Sequence, residues 1–424
     1  MRRGGWQATL VEGPWWPDLR PLSWTRPVWA LRCGATTILE RVEALLGRPV
    51  ALIGRKDVGA CLPIPVGRDA WRPGPSLFLD ARWLPATGAW RDHADGAGDL
   101  LLESADGRVV GAYVTDPPAD AAERLRGGEE IGGLAGPAAK PMAVQGRLID
   151  RAWLPMLAVA EEIERDFGPW CRARPSARPE QGPGTHFAGE RFWWGKGASC
   201  EGGAFLDARS GPVLVAEGAV IGAGSIVKGP AFIGPRSELH AARLEGGVSL
   251  GPRCKIGGEV QCTVVQGFSN KVHDGFLGHA HLGSWVNLGA TTTNSDLKNT
   301  YGEIAVDLGE GRMATGSTKI GCLLGDHVKT AIGTLLYTGT VVDPGSTLFA
   351  GAPVSGFVPA FVWAGERPVA VRLERFLGVA RTVLGRRDRE LAEAEVAVLR
   401  DLHERTADAR KRYIESRRGG GGAR

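Results

Sequence analysis

The stretch that decides the fold runs from Val215 to Leu239 and reads VAEGAVIGAGSIVKGPAFIGPRSEL. An aliphatic residue recurs in it at every sixth position. A six-residue period fits neither a helix face nor the two-residue alternation of a single strand. It is typical of a solenoid whose short strands each place one aliphatic side chain inward and then turn a corner. The recurring positions are Val215, Ile221, Val227, Ile233 and Leu239.

The same spacing resumes further along the chain, and glycine directly follows most of the later positions, where it suits a corner because it tolerates backbone angles closed to other residues. Residues 268–281 and 291–313 break the period, and the second break is polar enough to leave the coil as a loop, the kind of segment that often carries function. We therefore predict an all-β parallel β-helix over residues 189–360. The later positions are Leu250, Ile256, Cys262, Leu282, Leu288, Ile320 and Ile332.

The flanking segments differ from the repeat. Residues 1–168 mix short apolar runs with a helical pattern at Thr37–Leu46, which predicts a separate α/β domain. Residues 169–188 are crowded with proline, arginine and glycine, and we interpret them as a linker. Residues 361–424 form a helical pattern followed by a charged run, which predicts a helical tail that caps the open solenoid end.

Composition narrows the function classes. The 51 basic and 47 acidic residues leave a net charge of only +4, so no global field indicates binding to nucleic acid or to an anionic membrane. No uncharged apolar run reaches the roughly 20 residues of a membrane span. The seven cysteines include no CxxC pair, which favours reduced thiols. We expect a soluble, cytoplasmic protein.

The densest polar stretch lies in the breaks of the repeat, between Ser269 and Asn299, and holds three of the eight histidines. His279 and His281 at i and i+2 could bind a metal from one side of a strand. No cysteine or carboxylate stands at a convincing spacing to complete such a site. The alternative is general-base catalysis, since an imidazole with an ordinary pKa near 6.5 accepts a proton at neutral pH. The surrounding Lys, Asn and Asp side chains favour this second interpretation.

The segments KVHDGFLG (Lys271–Gly278) and VNLGA (Val286–Ala290) resemble the acetyltransferase domain of the bifunctional N-acetylglucosamine-1-phosphate uridyltransferase / glucosamine-1-phosphate acetyltransferase family. The whole stretch from Ser269 to Tyr301 is similar to a group of sugar nucleotidyltransferases related to that family. The resemblance implies a left-handed β-helix that assembles as a homotrimer, with active sites where neighbouring subunits meet. It also implies acetyl-CoA as the acyl donor.

The resemblance assigns roles to residues of this stretch. His273 corresponds to the base that deprotonates the sugar amine, Asn287 to a pocket asparagine, and Asn294 with Asp296 to a loop that touches the sugar. Lys271 and Lys298 are further substrate-binding candidates from the same stretch. Phe276 and Ser295 stand where the family has tyrosines, so the acceptor can differ from glucosamine 1-phosphate.

The first part of the chain resembles sugar-phosphate nucleotidyltransferases at Leu19–Ser23 and Cys33–Glu40. That resemblance implies a Rossmann-like nucleotidyltransferase domain with Arg20 and Arg26 at the nucleotide. Arg32 can stand in for a lysine that the family has and this chain lacks. Asp80, at a strand end, would bind Mg²⁺, although a turn-forming aspartate gives the same pattern. The segment Gly13–Asp18 carries bulky rings and prolines where the family has a glycine-rich loop.

The sequence supports three functional hypotheses. The leading one is acetyl-CoA-dependent N-acetylation of an amino-sugar phosphate or nucleotide sugar, with His273 as the base. The second is a sugar-1-phosphate nucleotidyltransferase that releases pyrophosphate. The third is a trimeric scaffold that binds a nucleotide sugar without turnover, since a fold alone does not secure chemistry.

Overall fold

A computed structural model describes residues 5–61, 71–88, 90, 98–349, 351 and 353–419 of the chain. Contacts within the chain divide it into two compact units. Unit 1 takes in the described residues of Met1–Leu19, Arg26–Leu31 and Thr36–Arg151, and unit 2 takes in those of Arg20–Thr25, Arg32–Ala35 and Ala152–Arg424.

Unit 1 is the predicted α/β region. Its main sheet has six strands in the order β4-β1-β5-β8-β7-β9, with β1 parallel to both of its neighbours and β8 antiparallel to both of its own. Helix α1 begins with a capping box between Thr37 and Glu40 and ends at Gly47 in the left-handed conformation. The elements are β1 Gln7–Val11, β2 Arg32–Cys33 (in unit 2), β3 Thr36–Thr37, α1 Ile38–Leu46, β4 Ala51–Ile53, α2 Lys56–Gly59, β5 Ser76–Asp80, β6 Trp83–Pro85, β7 Leu100–Glu103, β8 Val109–Val114, α3 Ala121–Arg126, β9 Lys140–Ala143 and β10 Gly146–Leu148.

Unit 2 is a parallel β-solenoid of about 10 turns, preceded by helix α4 (Leu154–Ala173). The fold class predicted from the hexapeptide spacing is therefore confirmed. The strands are β11 Glu180–Gln181, β12 His186–Ala188, β13 Phe192–Trp194, β14 Ser199–Cys200, β15 Phe205–Asp207, β16 Val213–Val215, β17 Val220–Ile221, β18 Ile226–Lys228, β19 Ala231–Ile233, β20 Glu238–Leu250, β21 Lys255–Gly267, β22 Asn270–Lys271, β23 Phe276–Gly278, β24 His281–Ser284, β25 Thr293–Asn294, β26 Ala305–Asp307, β27 Arg312–Ala314, β28 Cys322–Leu324, β29 Lys329–Thr330, β30 Leu335–Leu336, β31 Thr340–Val342, β32 Thr347–Leu348, β33 Phe357–Val358, β34 Val362–Ala364 and β35 Val369–Ala370.

The register explains the six-residue period. Val215 pairs in parallel with Ile233, and Ile221 pairs with Leu239, so three repeats complete one turn and every third aliphatic residue stacks on the one below. All five positions of the deciding stretch are at most 1% exposed. Burying such a side chain contributes roughly 1.5–3 kcal/mol, and the stacked column repeats that contribution in every turn.

Two of the later positions are corrected by the structure. Cys262 occupies a corner in the left-handed conformation, and Ile332 is 79% exposed, so neither points inward. In β21 the inward residues are instead Ile256, Val260 and Val265, because this turn is shorter and its corners shift the strict period.

One outer face of the solenoid is covered within unit 2. Met156 and Trp170 of helix α4, with Trp153 just before it, pack against a cluster that contains Trp193 and Phe232 from solenoid strands. Gly247 permits the close approach of this helix, because a Cβ there would lie 2.8 Å from the Ala160 Cβ. The second predicted break leaves the coil as expected, and part of it forms the antiparallel hairpin β26–β27.

The boundaries in the structure differ from the predicted linker of residues 169–188. Helix α4 continues to Ala173, and strands β11 and β12 within that range already pair with β14 and β15 of the next turn. Solenoid corners need the same proline and glycine as a linker, so composition did not separate them.

The predicted helical tail begins later than residue 361, because β34 and β35 still belong to the solenoid end, and the described residues then form α5 Leu373–Gly385, α6 Glu393–Arg405 and α7 Ala407–Gly419. Phe376, Leu377, Leu399 and Leu402 pack with Phe361 in one apolar cluster. Among the described residues, no helix combines the length and hydropathy needed to cross a lipid bilayer.

Candidate functional site

His273 lies in the corner between β22 and β23, and its side chain is exposed. The main chain of this corner is fixed from the inside, because the Lys271 ammonium donates to the carbonyl oxygens of Gly257 at 2.8 Å and His273 at 3.0 Å. Lys271 itself is only 2% exposed. The imidazole is therefore presented to solvent by a rigid support, the arrangement that an acid–base group requires.

Burial lowers the pKa of Lys271 to about 8, although the nearby carboxylate of Asp274 acts in the opposite direction. The two carbonyl contacts place this ammonium inside the corner. Lys271 was predicted to bind substrate, but in this conformation its ammonium binds main-chain oxygens of the corner.

Asn287, the predicted pocket asparagine, stands on an outer column of the solenoid. Its Oδ1 accepts a hydrogen bond of 2.9 Å from Asn270 Nδ2, and its backbone bridges Asn270 on one side and Lys329 on the other. The side chain is exposed. Asn287 therefore remains free to offer its amide nitrogen to a ligand on this face.

The remaining predicted residues of the second break have internal partners. Asn294 is buried, and its amide exchanges two hydrogen bonds of 2.8 Å with the backbone of Gly278 one turn below. Lys298 donates to the main-chain oxygen of Glu303 in the same excursion. These contacts hold the register of the turn and the shape of the loop.

Asp296 contacts a histidine that we did not predict to act as a base. Its Oδ2 lies 2.7 Å from His279 Nδ1, and both side chains are at most 15% exposed. Burial by itself would lower the pKa of His279, but the hydrogen bonds to Asp296 and Cys262 raise it to about 9. His279 is consequently an imidazolium at neutral pH and a poor general base.

Cys262, His279 and Asp296 form a thiol–imidazole–carboxylate cluster at one corner of successive turns. The signal that could have found it is their equal spacing, since 279 − 262 and 296 − 279 are both 17 residues. That spacing is about one turn of the coil, so the three side chains stack.

The metal interpretation of the histidine pair gains no support. His279 sits at a corner with φ 45°, whereas His281 is fully buried and lies 2.7 Å from the Gln266 amide nitrogen. Among the residues that the structure describes, no group of three His, Cys, Asp or Glu side chains could hold a metal ion.

The predicted nucleotide-binding arginines all have partners. In unit 2, Arg20 pairs with Glu310 at 2.6 Å, and Arg32 donates to the Ala35 oxygen and lies over the Phe232 ring. In unit 1, Arg26 is 9% exposed and its carbonyl oxygen accepts from Arg55.

In unit 1, the predicted magnesium ligand Asp80 and the segment Gly13–Asp18 also contact other side chains. Asp80 is 2% exposed, and both of its carboxylate oxygens accept from the Arg82 guanidinium at 2.7–3.3 Å. Trp15 lies against Arg82, and Trp16 against Arg55, each with the guanidinium 4.0 Å from the ring centroid. Rings therefore pack on the cations at this segment, and the Asp80 carboxylate does not fit a metal ion in this arrangement.

Part of the chain is similar to known transferases. Residues 8–173 match the family model described as sugar nucleotidyl transferase. The similarity to sugar nucleotidyltransferases thus lies in these residues. A protein of Sulfurisphaera tokodaii named bifunctional sugar-1-phosphate nucleotidylyltransferase/acetyltransferase is 30% identical over 153 residues, which cover 34% of this chain and 37% of that protein. These matches fit the family that the sequence motifs suggested.

Each of these similarities covers only part of the proteins compared. The chain spans 37% of the length of the curated relative, so the activities in that protein's name are not thereby those of this chain. A solved Arabidopsis UDP-N-acetylglucosamine acyltransferase is 14% identical over 49% of this chain and 74% of its own, with a TM-score of 0.20.

Proposed function

We propose that the chain is an acyltransferase that N-acetylates an amino-sugar phosphate or a nucleotide sugar, with acetyl-CoA as donor and His273 as general base. The observation that carries the proposal is the exposed His273 imidazole on a corner fixed by the buried Lys271 ammonium. The relationship to the sugar nucleotidyltransferases supports a sugar-phosphate substrate class. The raised pKa of His279, to which its hydrogen bond to Asp296 contributes, favours His273 over His279 as the base.

In the proposed reaction the sugar amine attacks the thioester carbonyl carbon, and His273 accepts the proton that the amine loses. The C–N bond forms as the carbonyl oxygen becomes an oxyanion, which main-chain N–H donors of a solenoid corner can stabilise. Collapse breaks the C–S bond and expels the CoA thiolate. The proton on His273 is then available to that thiolate, which leaves as free CoA.

The test is acetyl transfer to a panel of amino-sugar phosphates and nucleotide sugars, followed by release of free CoA. We expect His273→Ala to lower kcat by about a hundredfold or more, as for the loss of a general base, with little change in KM. His240→Ala is the matched control, because His240 is also an exposed solenoid histidine. Equal rates for parent and His273→Ala would contradict the role of His273.

Sugar-1-phosphate nucleotidyl transfer is the second candidate, favoured by the family match over residues 8–173. Asp80 is occupied by Arg82, so we assign no step to a metal ion held there. The measurement is magnesium-dependent pyrophosphate release from a nucleoside triphosphate and a sugar 1-phosphate. Release that Arg20→Ala abolishes would support this candidate, whereas no release with any common triphosphate would exclude it.

A further inference from the structure

A cavity of about 360 Å³ opens on the outer column of the solenoid that contains Asn287, within unit 2. The column brings Lys255, Asn270, Asn287 and Lys329 side by side on successive turns, because Lys255 pairs with Asn270 and bridges link Asn270 to Asn287 and Asn287 to Lys329. The opposite wall is the end of helix α5, with Val383, Arg386 and Arg387.

The charge of this cavity is one-sided. Its lining contains four cations, Lys255, Lys329, Arg386 and Arg387, and no acidic residue. Glu238, outside the lining, pairs with Lys255 at 2.7 Å and interacts electrostatically with Arg387. Four cations grouped around one carboxylate repel one another, so an anion bound among them removes an unfavourable interaction.

Lys329 carries a separate cost, which comes from burial. Burial lowers its pKa to about 8, and its ammonium donates only to the His327 carbonyl oxygen, at 3.2 Å, among the described residues. A lysine ammonium has three N–H donors, so Lys329 can also donate to an anionic oxygen of a ligand in the cavity.

The arginine wall is held in place. Arg253 Nη1 donates to the Arg387 carbonyl oxygen at 2.9 Å and lies 3.7 Å from the Asp388 carboxylate. The Arg386 and Arg387 guanidinium groups themselves have no ion-pair partner among the described residues. Arginine forks on a fixed backbone match the geometry of phosphate oxygens.

We infer that this cavity is a binding site for a phosphoryl group of a small-molecule ligand, held by Lys255, Lys329, Arg386 and Arg387 with amide donors from Asn270 and Asn287. Two sources share that chemistry: the phosphates of a CoA ester and the phosphate of a sugar-phosphate acceptor. The choice between these sources rests on the proposed acyl transfer, but the anion site itself does not.

A second cavity gives room for the rest of such a ligand. It measures about 1180 Å³ and shares Lys329 with the first; Trp363, Phe376 and Val379 provide apolar lining. A ligand with an anionic end and an extended, less polar part would therefore place the charge at Lys329 and the remainder along these side chains.

The experiment is isothermal titration calorimetry of the full chain with coenzyme A, dephospho-coenzyme A, glucosamine 1-phosphate and inorganic phosphate. Glucosamine and pantetheine are the controls without phosphate. We expect at least one phosphorylated probe to bind, with affinity that falls as salt is raised. Arg386→Gln/Arg387→Gln should weaken that binding about tenfold or more. Arg381→Gln, at an exposed position of the same helix, is the matched control and should bind as the parent does.

The outcomes separate the sources. If coenzyme A binds and dephospho-coenzyme A does not, the site belongs to the acyl donor. If only glucosamine 1-phosphate binds, the site belongs to the acceptor. No binding by any probe, or equal binding by the parent and the double variant, would overturn the inference. Since both arginines follow the carbonyl end of α5, circular dichroism of the double variant checks that the helix persists. Calorimetry measures binding without turnover, so it tests the anion site even if the chain shows no acyl transfer.

Discussion

At the scale of single residues, the corners of the solenoid determine which polar groups meet. Cys262 and His279 both adopt the left-handed conformation, with φ 44° and 45°, at equivalent corners of successive turns. This conformation is unusual for residues other than glycine and costs on the order of 1 kcal/mol or more. The His279–Asp296 contact at 2.7 Å offsets part of that cost, since a buried hydrogen-bonded ion pair stabilises the turn.

The pH dependence of stability follows from the directions of these pKa shifts. The pKa of His279 is raised in the folded chain, so its contribution is fully present below its unfolded value near 6.5 and is lost as pH rises through about 9. Although burial alone would raise the pKa of Asp296, its hydrogen bond to His279 lowers it, so its contribution is lost at acid pH. Cys262 also faces the imidazole, and Lys319 acts on the carboxylate.

We therefore expect Asp296→Asn to destabilise the chain by about 1–3 kcal/mol at pH 6.5 and by much less at pH 10. Melting temperatures by calorimetry at the two pH values check this expectation. His273→Gln is the control, because the exposed His273 side chain forms no ion pair with any residue that the structure describes. An equal loss of melting temperature at both pH values would show that the pair is not ionic.

At the scale of elements, the solenoid converts short strands into a stiff support. Strands of two or three residues such as β22 and β23 would not persist alone, yet each pairs in parallel with β21 of the preceding turn. The chain thus holds His273 and Asn287 at fixed positions, although His273 lies in a polar break of the repeat and Asn287 lies between the two breaks. The hairpin β26–β27 and helix α4 pack on one outer face.

At the scale of the whole molecule, the last turns of the solenoid expose large apolar side chains. Ile332 is 79% exposed, Phe349 57% and Leu335 48%. Large apolar side chains exposed in this way are candidates for contact with another subunit. Together with the homotrimer that the resemblance implies, they lead us to propose that the chain assembles as a homotrimer.

We expect light scattering coupled to gel filtration to give a mass of three times 45.0 kDa, 135 kDa, at micromolar concentration. Ile332→Asp/Leu335→Asp should shift the mass toward that of the single chain, because the charges would have to be buried on assembly. Leu157→Asp, at a 38% exposed position of α4, is the control and should leave the mass unchanged. A single-chain mass for the parent protein would contradict the trimer.

The candidate site was only partly predictable from the sequence. His273 and Asn287 were predicted because the resemblance marks their motifs, and the structure places both side chains at the surface. The roles expected for Lys271, Asn294 and Asp296 rest on the same motifs, but these side chains contact Gly257, Gly278 and His279 in the folded chain. A motif fixes the residue type, whereas the direction of a side chain depends on which side of a corner it leaves.

The sequence by itself determined the solenoid, since a six-residue aliphatic period with glycine at the corners has few other ways to bury its apolar side chains. It also determined the α/β character of the first part through strand and helix periodicity. Only the tertiary structure decided which polar groups meet. The cluster of Cys262, His279 and Asp296 and the cavity of Lys255, Lys329, Arg386 and Arg387 join residues from separate turns or elements. Such contacts depend on the exact length of each turn, which hydrophobic periodicity alone does not specify.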